Sequence, residues 1–324
     1  MTWLAWRQHR VEIAILLVAT IAVALATIAA WNYDVAQRSA LGVDTCVPLP
    51  GGNANCVALQ DELRRRLGAT TYLFLLFYAA PALVGSYLGG PLLSRELERG
   101  LHRLVWTTGS SRLRWAVTKL ALIFAAVVVA ASALALVGRR AADIWFWLSG
   151  SQPFDAFDID GVVLVAYALF GLALGAFVGT LSRRVFTGMF VGLLAFILVR
   201  GYVEFGLRPT YVPPATAPYE IATFPPFDDR IGIPSGAWML GLEAVDAQGQ
   251  RVPAERVNEL MSENMRHPTG NSETYLHEHG VYHRWRFQPP ERYPLFQAIE
   301  ASIFITLAAG LAGVTLLLIR RRDA

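Results

Sequence analysis

Three groups of residues have types and spacings that chemistry uses. His277, His279 and His283 stand in YLHEHGVYH beside Glu278, and imidazoles with a carboxylate can hold zinc. Their spacing of two and then four has no clear helix or strand to fix it, so a solvated loop is expected and no metal is assigned. Arg200 and Glu204 lie one helical turn apart near the end of an apolar run, and Glu300 lies one or two turns inside another. A charge at mid-membrane costs about 2.5–3.5 kcal/mol on insertion scales, so such groups face partners or water. Two expectations follow: an Arg200–Glu204 or Arg200–Glu300 pair at the outer mouth of a pathway, or all three side chains reaching the headgroups. The third group is the longest, SRELERGLHRLVWTTGSSRLRWAVTK from Ser94 to Lys119, with Arg95, Arg99, Arg103, Arg112, Arg114 and Lys119 as its basic residues. Leu97, Leu101, Leu104 and Val105 recur at helical spacing, with Arg95, Glu98, Arg99 and His102 off that face. Glu96 and Arg99 are spaced to support the helix locally. TTGSSR then reads as a turn before the next apolar run. A helix over 95–106, a turn and the start of a span make a rigid elbow suited to transmitting force.

The elements that position these groups are apolar. The 324 residues are 54% hydrophobic and 16% charged, against about 25% charged in soluble domains. Six runs reach the roughly 20 residues that a helix needs to cross a bilayer, at about 13–31, 70–93, 115–137, 162–181, 185–204 and 295–319. The first is too long for a signal-peptide h-region of about 7–15 residues and reads as an uncleaved span. The basic residues sit at the ends of these runs, which argues against a nucleic-acid partner. Placing both termini in the cytosol puts Arg7, Arg10, the 94–119 cluster, Arg183, Arg184 and Arg320 to Arg322 inside, as the positive-inside rule requires. Arg64 to Arg66 then fall outside, in VALQDELRRRLG, a short surface helix balanced partly by Asp61 and Glu62. Cys46 and Cys56 share that first outside loop, where a disulfide can persist. Closing so short a loop stabilises it by roughly 3 kcal/mol in the entropic account, and pairing is expected.

Finer organisation follows from particular residues. MTWLAWRQHR, with Trp3 and Trp6 beside Arg7 and Arg10, fits a short helix lying along the inner membrane surface. Span two carries Pro81, Gly85, Gly89, Gly90 and Pro91, which predict a bent helix facing a cavity. Spans four and five are joined only by Ser182, Arg183 and Arg184, a tight antiparallel pair. Gly171, Gly175 and Gly179 line one face of span four and admit a close neighbour, either span five or another protomer. Residues 205–294 hold 12 of the 17 prolines, together with Trp238, Trp285 and many Tyr and Phe. WMLGLEAVDAQGQRV predicts a hairpin, PAERVNELMSENMR a helix and GVYHRWRF a strand. The expected fold is an all-α polytopic membrane protein with six transmembrane helices and a small irregular α+β extracellular domain between helices five and six. Its parts are a membrane domain over 1–204, the extracellular domain over 205–294, and span six with a cytosolic tail over 295–324.

No GxxxxGK[ST] phosphate loop occurs, nor HExxH, a nucleophile elbow or CxxC, so the chain itself is not read as an enzyme. The elbow residues resemble the permeases of type-2 ABC exporters. Those carry ERGT, a short apolar stretch, TPxSR, and a lysine seven residues on. Glu98, Arg99 and Gly100 match the first part, Thr108, Ser111 and Arg112 the second, and Lys119 falls in register. Leu101 stands where threonine is usual and Gly109 where proline is usual, and both changes make the turn more flexible. TWLAWRQHR, the SRR between spans four and five, LRPTY and FQPPERYPLFQAIE are similar to an actinobacterial branch of that family. The resemblance implies a multi-pass permease of the bacterial cytoplasmic membrane, surrounded by lipid. It would pair as a homodimer or heterodimer and bind two copies of a separate ABC ATPase, which alone would hold ATP and Mg. Glu96, Glu98, Arg99, Gly100, Leu101, Leu104, Thr108, Ser111, Arg112 and Lys119 would then form the coupling surface, with Arg112 and Lys119 anchored at the headgroups. Drugs, lipids and peptides all suit such an apolar pathway. A secondary transporter or channel without an ATPase, and a membrane sensor with a ligand-binding outer domain, are the rival classes.

Overall fold

The computed structural model describes residues 2–43, 54–100, 111–149, 153–218, 233–266 and 271–321. Six helical stretches are long and apolar enough to cross a membrane: Ala5–Leu41, Tyr72–Glu98, Arg112–Ile144, Phe154–Ser182, Val185–Thr210 and Pro290–Arg321. They are spans one to six below. Each coincides with one of the apolar runs in the sequence. The first helix differs from expectation at its start. Thr2–Leu41 is one unbroken helix, so the tryptophan-rich terminus is continuous with span one and is not a separate surface helix. Forty residues at 1.5 Å each give about 60 Å, roughly twice the hydrocarbon thickness. Arg7 lies over the Trp3 ring, 4.9 Å from its centroid.

Span four is the centre of the bundle and the most buried of the six. Its glycine face meets spans two and five together. A Cβ on Gly175 would stand 2.2 Å from the Gly85 carbonyl oxygen, and one on Gly179 2.3 Å from that of Gly90. From the other side, a Cβ on Gly188 would meet the Gly179 Cα at 2.7 Å, and one on Gly192 the Gly175 Cα at 3.2 Å. Three backbones therefore touch where none has a side chain, the geometry that small residues permit in lipid. Span two changes its winding there. Pro81 lies inside its first helical part, Thr71–Leu83, and Val84–Gly89 is a π-helical turn, a local widening frequent at functional sites. Pro81 and Val84 line an apolar cavity of about 250 Å³ together with residues of spans one, three and four.

At the end of the bundle opposite the elbow, the helix Ala54–Leu67 packs Leu63 and Leu67 against Val43 and Ile144. Its arginines are locally paired, Arg65 to Glu62 at 2.7 Å and Arg66 to Glu62 at 2.9 Å. Those hydrogen bonds hold the Glu62 carboxyl below the usual range. Cys46 and the Cys56 side chain, and with them the expected disulfide, lie outside the described residues.

Between spans five and six stands a three-stranded antiparallel sheet in the order β1-β3-β2. β1 is Ala215–Pro218, β2 Trp238–Val245 and β3 Tyr282–Gln288. After β2, the Asp246 carboxylate accepts from the backbone N–H groups of Gln248 and Gln250, at 2.9 and 2.8 Å. Gly249 has φ +76°, a left-handed conformation that glycine adopts without strain. The tight turn falls at the predicted place, but the second arm of the expected hairpin is reduced to one bridge, Val245 to Arg251, and β2 pairs with β3 instead. The helix Ala254–Arg266 follows Pro253.

Candidate functional site

The elbow begins where span two ends. Pro91 opens the helix Gly90–Glu98, and Leu92, Leu93 and Leu97 are buried. The helix stops at Glu98, because Gly100 has φ +70°, the left-handed residue that commonly closes a helix. The expected continuous helix over 95–106 is therefore interrupted at Gly100. Leu101, Leu104 and Thr108 lie outside the described residues.

Successive residues of this last turn are about 100° apart around the axis, and three of them reach three different spans. Arg95 Nη1 donates to Glu12 Oε1 of span one at 2.9 Å, and Glu12 also holds His9 at 2.6 Å. Glu96 binds the ammonium of Lys119 on span three. Glu98 Oε2 accepts from the backbone N–H of Val185, the first residue of the helix in span five, at 2.9 Å. That helix has no capping side chain of its own. Glu98 supplies one from another span, and its negative charge meets the positive end of the helix dipole. Arg99 is exposed beside them.

Span three starts with its own cap. Ser111 Oγ accepts from the Arg114 N–H at 3.2 Å, the N-cap pattern. Arg112 is half-buried. Lys119 departs from expectation. It is 2% exposed, pinned between Glu96 and the Trp115 ring, whose centroid is 5.0 Å from Nζ. It does not reach the headgroups, because a carboxylate is available to it inside the bundle.

A second charged cluster lies at the sheet end of the bundle. Arg208 donates through Nε and Nη2 to both oxygens of Glu300, each at 2.8 Å, and through Nη2 to Asp158 at 2.5 Å. The Tyr167 hydroxyl donates to Asp158 at 2.8 Å and also contacts Glu300. The Tyr211 hydroxyl donates to Glu300 at 3.0 Å. Arg200 Nη2 is 3.2 Å from the second oxygen of Asp158. Two cations face two carboxylates, so the charges balance, as a buried cluster requires. Spans four, five and six are tied together by it. Gln297 of span six adds to the tie, accepting from the Val163 N–H at 3.1 Å and donating to the Phe157 carbonyl at 2.9 Å.

This corrects the expected pairing. Glu300 is held by Arg208, not Arg200, and Arg200 faces Asp158 rather than Glu204. Asp158 and Arg208 escaped the sequence reading because each lies just beyond the end of its apolar run. A signal was present: FDIDG and LRPTY each place a charge within one turn of a predicted span end.

The three histidines do not converge. Glu273 is 2.9 Å from His283 and 3.5 Å from His277, while His279 turns to the Tyr275 carbonyl at 2.8 Å. Among the described residues no three His, Cys, Asp or Glu side chains are grouped to hold a metal ion. Within the sheet, Arg284 of β3 donates twice to Glu243 of β2, at 3.0 and 2.8 Å, and these bonds hold the Glu243 carboxyl below its usual range.

A family model described as ABC-2 membrane transporter related matches residues 3–208. No curated protein and no solved structure matches the chain. The match takes in spans one to five, the elbow and most of the buried cluster, and it covers more than half of the sequence. With six apolar helices around a glycine-packed centre, the chain belongs to the ABC-2 membrane transporter related family and is a multi-pass membrane component of a transporter.

Proposed function

We propose that this chain is the permease subunit of an ATP-driven exporter, moving a hydrophobic or amphipathic substrate outward across the cytoplasmic membrane. Permeases of this family generally work with a separate ABC ATPase, and this chain carries no phosphate loop of its own. The observation that carries the reading is the last turn of span two, where Arg95, Glu96 and Glu98 bind spans one, three and five. A push on the adjoining segment is felt by three spans at once.

In this reading both termini and the elbow are cytosolic, and the sheet lies outside. Two permease copies, identical or paired with a second type, enclose the pathway, and two ATPase subunits grip the elbow. ATP binding closes the ATPase pair and moves residues 95–98. The shift passes through the three contacts, while the π-helical turn at Val84–Gly89 gives span two room to bend. The cluster of Asp158, Tyr167, Arg208 and Glu300 keeps spans four to six together as the other spans move.

The test is purification of the full chain with its co-expressed ATPase, followed by transport of candidate amphiphiles into inside-out vesicles. Uptake that requires ATP supports the proposal. Uptake driven equally by an ion gradient without ATP supports a secondary transporter instead, and no uptake with a ligand-dependent signal supports a sensor.

A further inference from the structure

Arg200 is the under-coordinated member of the buried cluster. Nη1 donates to the Tyr78 carbonyl at 3.2 Å, and Nη2 lies 3.2 Å from Asp158, but Nε has no hydrogen-bond partner. Guanidinium carries five N–H donors, and those of Arg200 are not all spent, although it also packs over the Tyr78 and Tyr167 rings, 5.0 and 4.9 Å from their centroids. Arg208, by contrast, is saturated by Glu300, Asp158 and Tyr167. One helical turn from Arg200 stands Glu204, which has no hydrogen-bond or ion-pair partner among the described residues.

Both residues line one groove between spans two and five, with a volume of about 550 Å³. That volume is within the usual range of roughly 300–1,000 Å³ for ligand sites. The remaining wall is apolar and includes Leu75, Ala79, Phe196 and Phe205. Arg200 is about 22 Å and Glu204 about 28 Å along the helix from Val185, at 1.5 Å per residue. Phe196 lies one turn nearer that start. A cation and a carboxylate one turn apart, above an apolar slot, match a ligand with an anion, an amine and a hydrocarbon tail.

We propose that this groove binds a zwitterionic amphiphile from the membrane, its phosphate or carboxylate on Arg200, its ammonium on Glu204 and its tail against Phe196. An amino phospholipid has this chemistry. A quaternary ammonium lacks the N–H donors that Glu204 accepts, and a purely anionic lipid meets Glu204 as a like charge. Were this ligand the cargo, it would name the substrate class of the exporter, and to that extent the inference rests on that reading. The binding itself does not, and its test uses neither ATP nor an ATPase.

The full-length chain is delipidated in detergent and titrated by native mass spectrometry with phosphatidylethanolamine, phosphatidylglycerol and phosphatidylcholine of matched chains. The first is expected to bind at least about tenfold more tightly than the others, the scale of one charge-assisted hydrogen bond. Glu204→Gln is expected to erase that preference, and Arg200→Gln to weaken binding of all three lipids, since each carries the phosphate that Arg200 holds. Ala79→Leu, which narrows the groove without touching the cluster, is expected to weaken all three, keeping the test informative where Arg200→Gln fails to fold. Displacement of lipid by millimolar glycerophosphoethanolamine would show that the headgroup suffices and would overturn the role of the apolar slot. Equal binding of the three lipids, or the same preference in Glu204→Gln, overturns the proposal while leaving the ATP-driven reading untouched.

Discussion

Glu96 and Lys119, 23 residues apart, form an ion pair in which the lysine is 2% exposed and the carboxylate 13%. The pair closes the elbow, since it joins the last turn of span two to the second turn of the helix in span three. Removing Glu96 leaves the buried Lys119 ammonium without its carboxylate, at a cost of about 3–5 kcal/mol. Lys119→Met and Glu96→Gln are each expected to lower the thermal midpoint of the purified chain by several degrees. The double variant Lys119→Met with Glu96→Leu is expected to recover most of the loss, because two apolar groups of similar volume replace the pair. Differential scanning fluorimetry in detergent reads both outcomes, and a double variant no better than the singles contradicts this account of the pair.

The Glu98 contact predicts a different signature. Glu98→Ala removes a helix cap worth about 1 kcal/mol, so the fold survives. Loss of the bond to Val185 removes the polar link from the end of the elbow helix to span five, while the packing of Gly90 on Gly188 remains. The variant is expected to retain its ATPase partner through purification while ATP-dependent uptake falls well below wild type. Unchanged uptake in Glu98→Ala counts against transmission through this contact.

Much of this architecture was legible in the sequence, and the reasons are physical. Long apolar runs must be helices in lipid, so the six spans could be placed, and the turn at Asp246–Gly249 followed from local chemistry, although the strand before it pairs with the distant β3. What was hidden is long-range. Arg208 fell inside the expected extracellular segment 205–294, and only the folded bundle brings it 92 residues across to Glu300. Gly100 looked helical because its neighbours have helical spacing. Its positive φ is a property of one residue that periodicity averages away. The glycines of span four announced close packing, but the identity of the neighbours had to come from the structure.

That packing makes a paired prediction. A Cβ at Gly175 would overlap the Gly85 carbonyl oxygen at 2.2 Å, whereas nothing lies within 4 Å of one at Gly310. Gly175→Val is expected to abolish the monodisperse peak in size-exclusion chromatography. Gly310→Ala is expected to leave it intact, with a gain of up to about 1 kcal/mol from helix propensity. Equal behaviour of the two variants contradicts the three-backbone contact.

Acid should act first on the sheet. The Glu243 carboxyl is held below its usual value of 4.5 by the Arg284 hydrogen bonds. A folded-state value below the unfolded one contributes stability that is fully present above the unfolded value and is lost as pH falls through the folded one. Proteolytic protection of β2 and β3 is expected to be level from neutral pH to somewhat above 4.5 and to fall below it. In Glu243→Gln the fall is expected to be shallower. A fall of the same steepness in the variant assigns the acid sensitivity to another group.

The most direct test of the central claim is a photo-crosslink from the exposed position Arg99. With p-benzoylphenylalanine at that site in cells co-expressing a candidate ABC ATPase, the adduct is expected to contain a subunit bearing a nucleotide-binding phosphate loop, identified by peptide sequencing, and to change in yield when ATP is trapped. A control at Phe205, exposed at the sheet end, is expected to give no such adduct. Adducts at Arg99 that contain only lipid, with an ATPase that neither co-purifies nor crosslinks, would contradict the claim that this elbow is where ATP hydrolysis enters the membrane bundle.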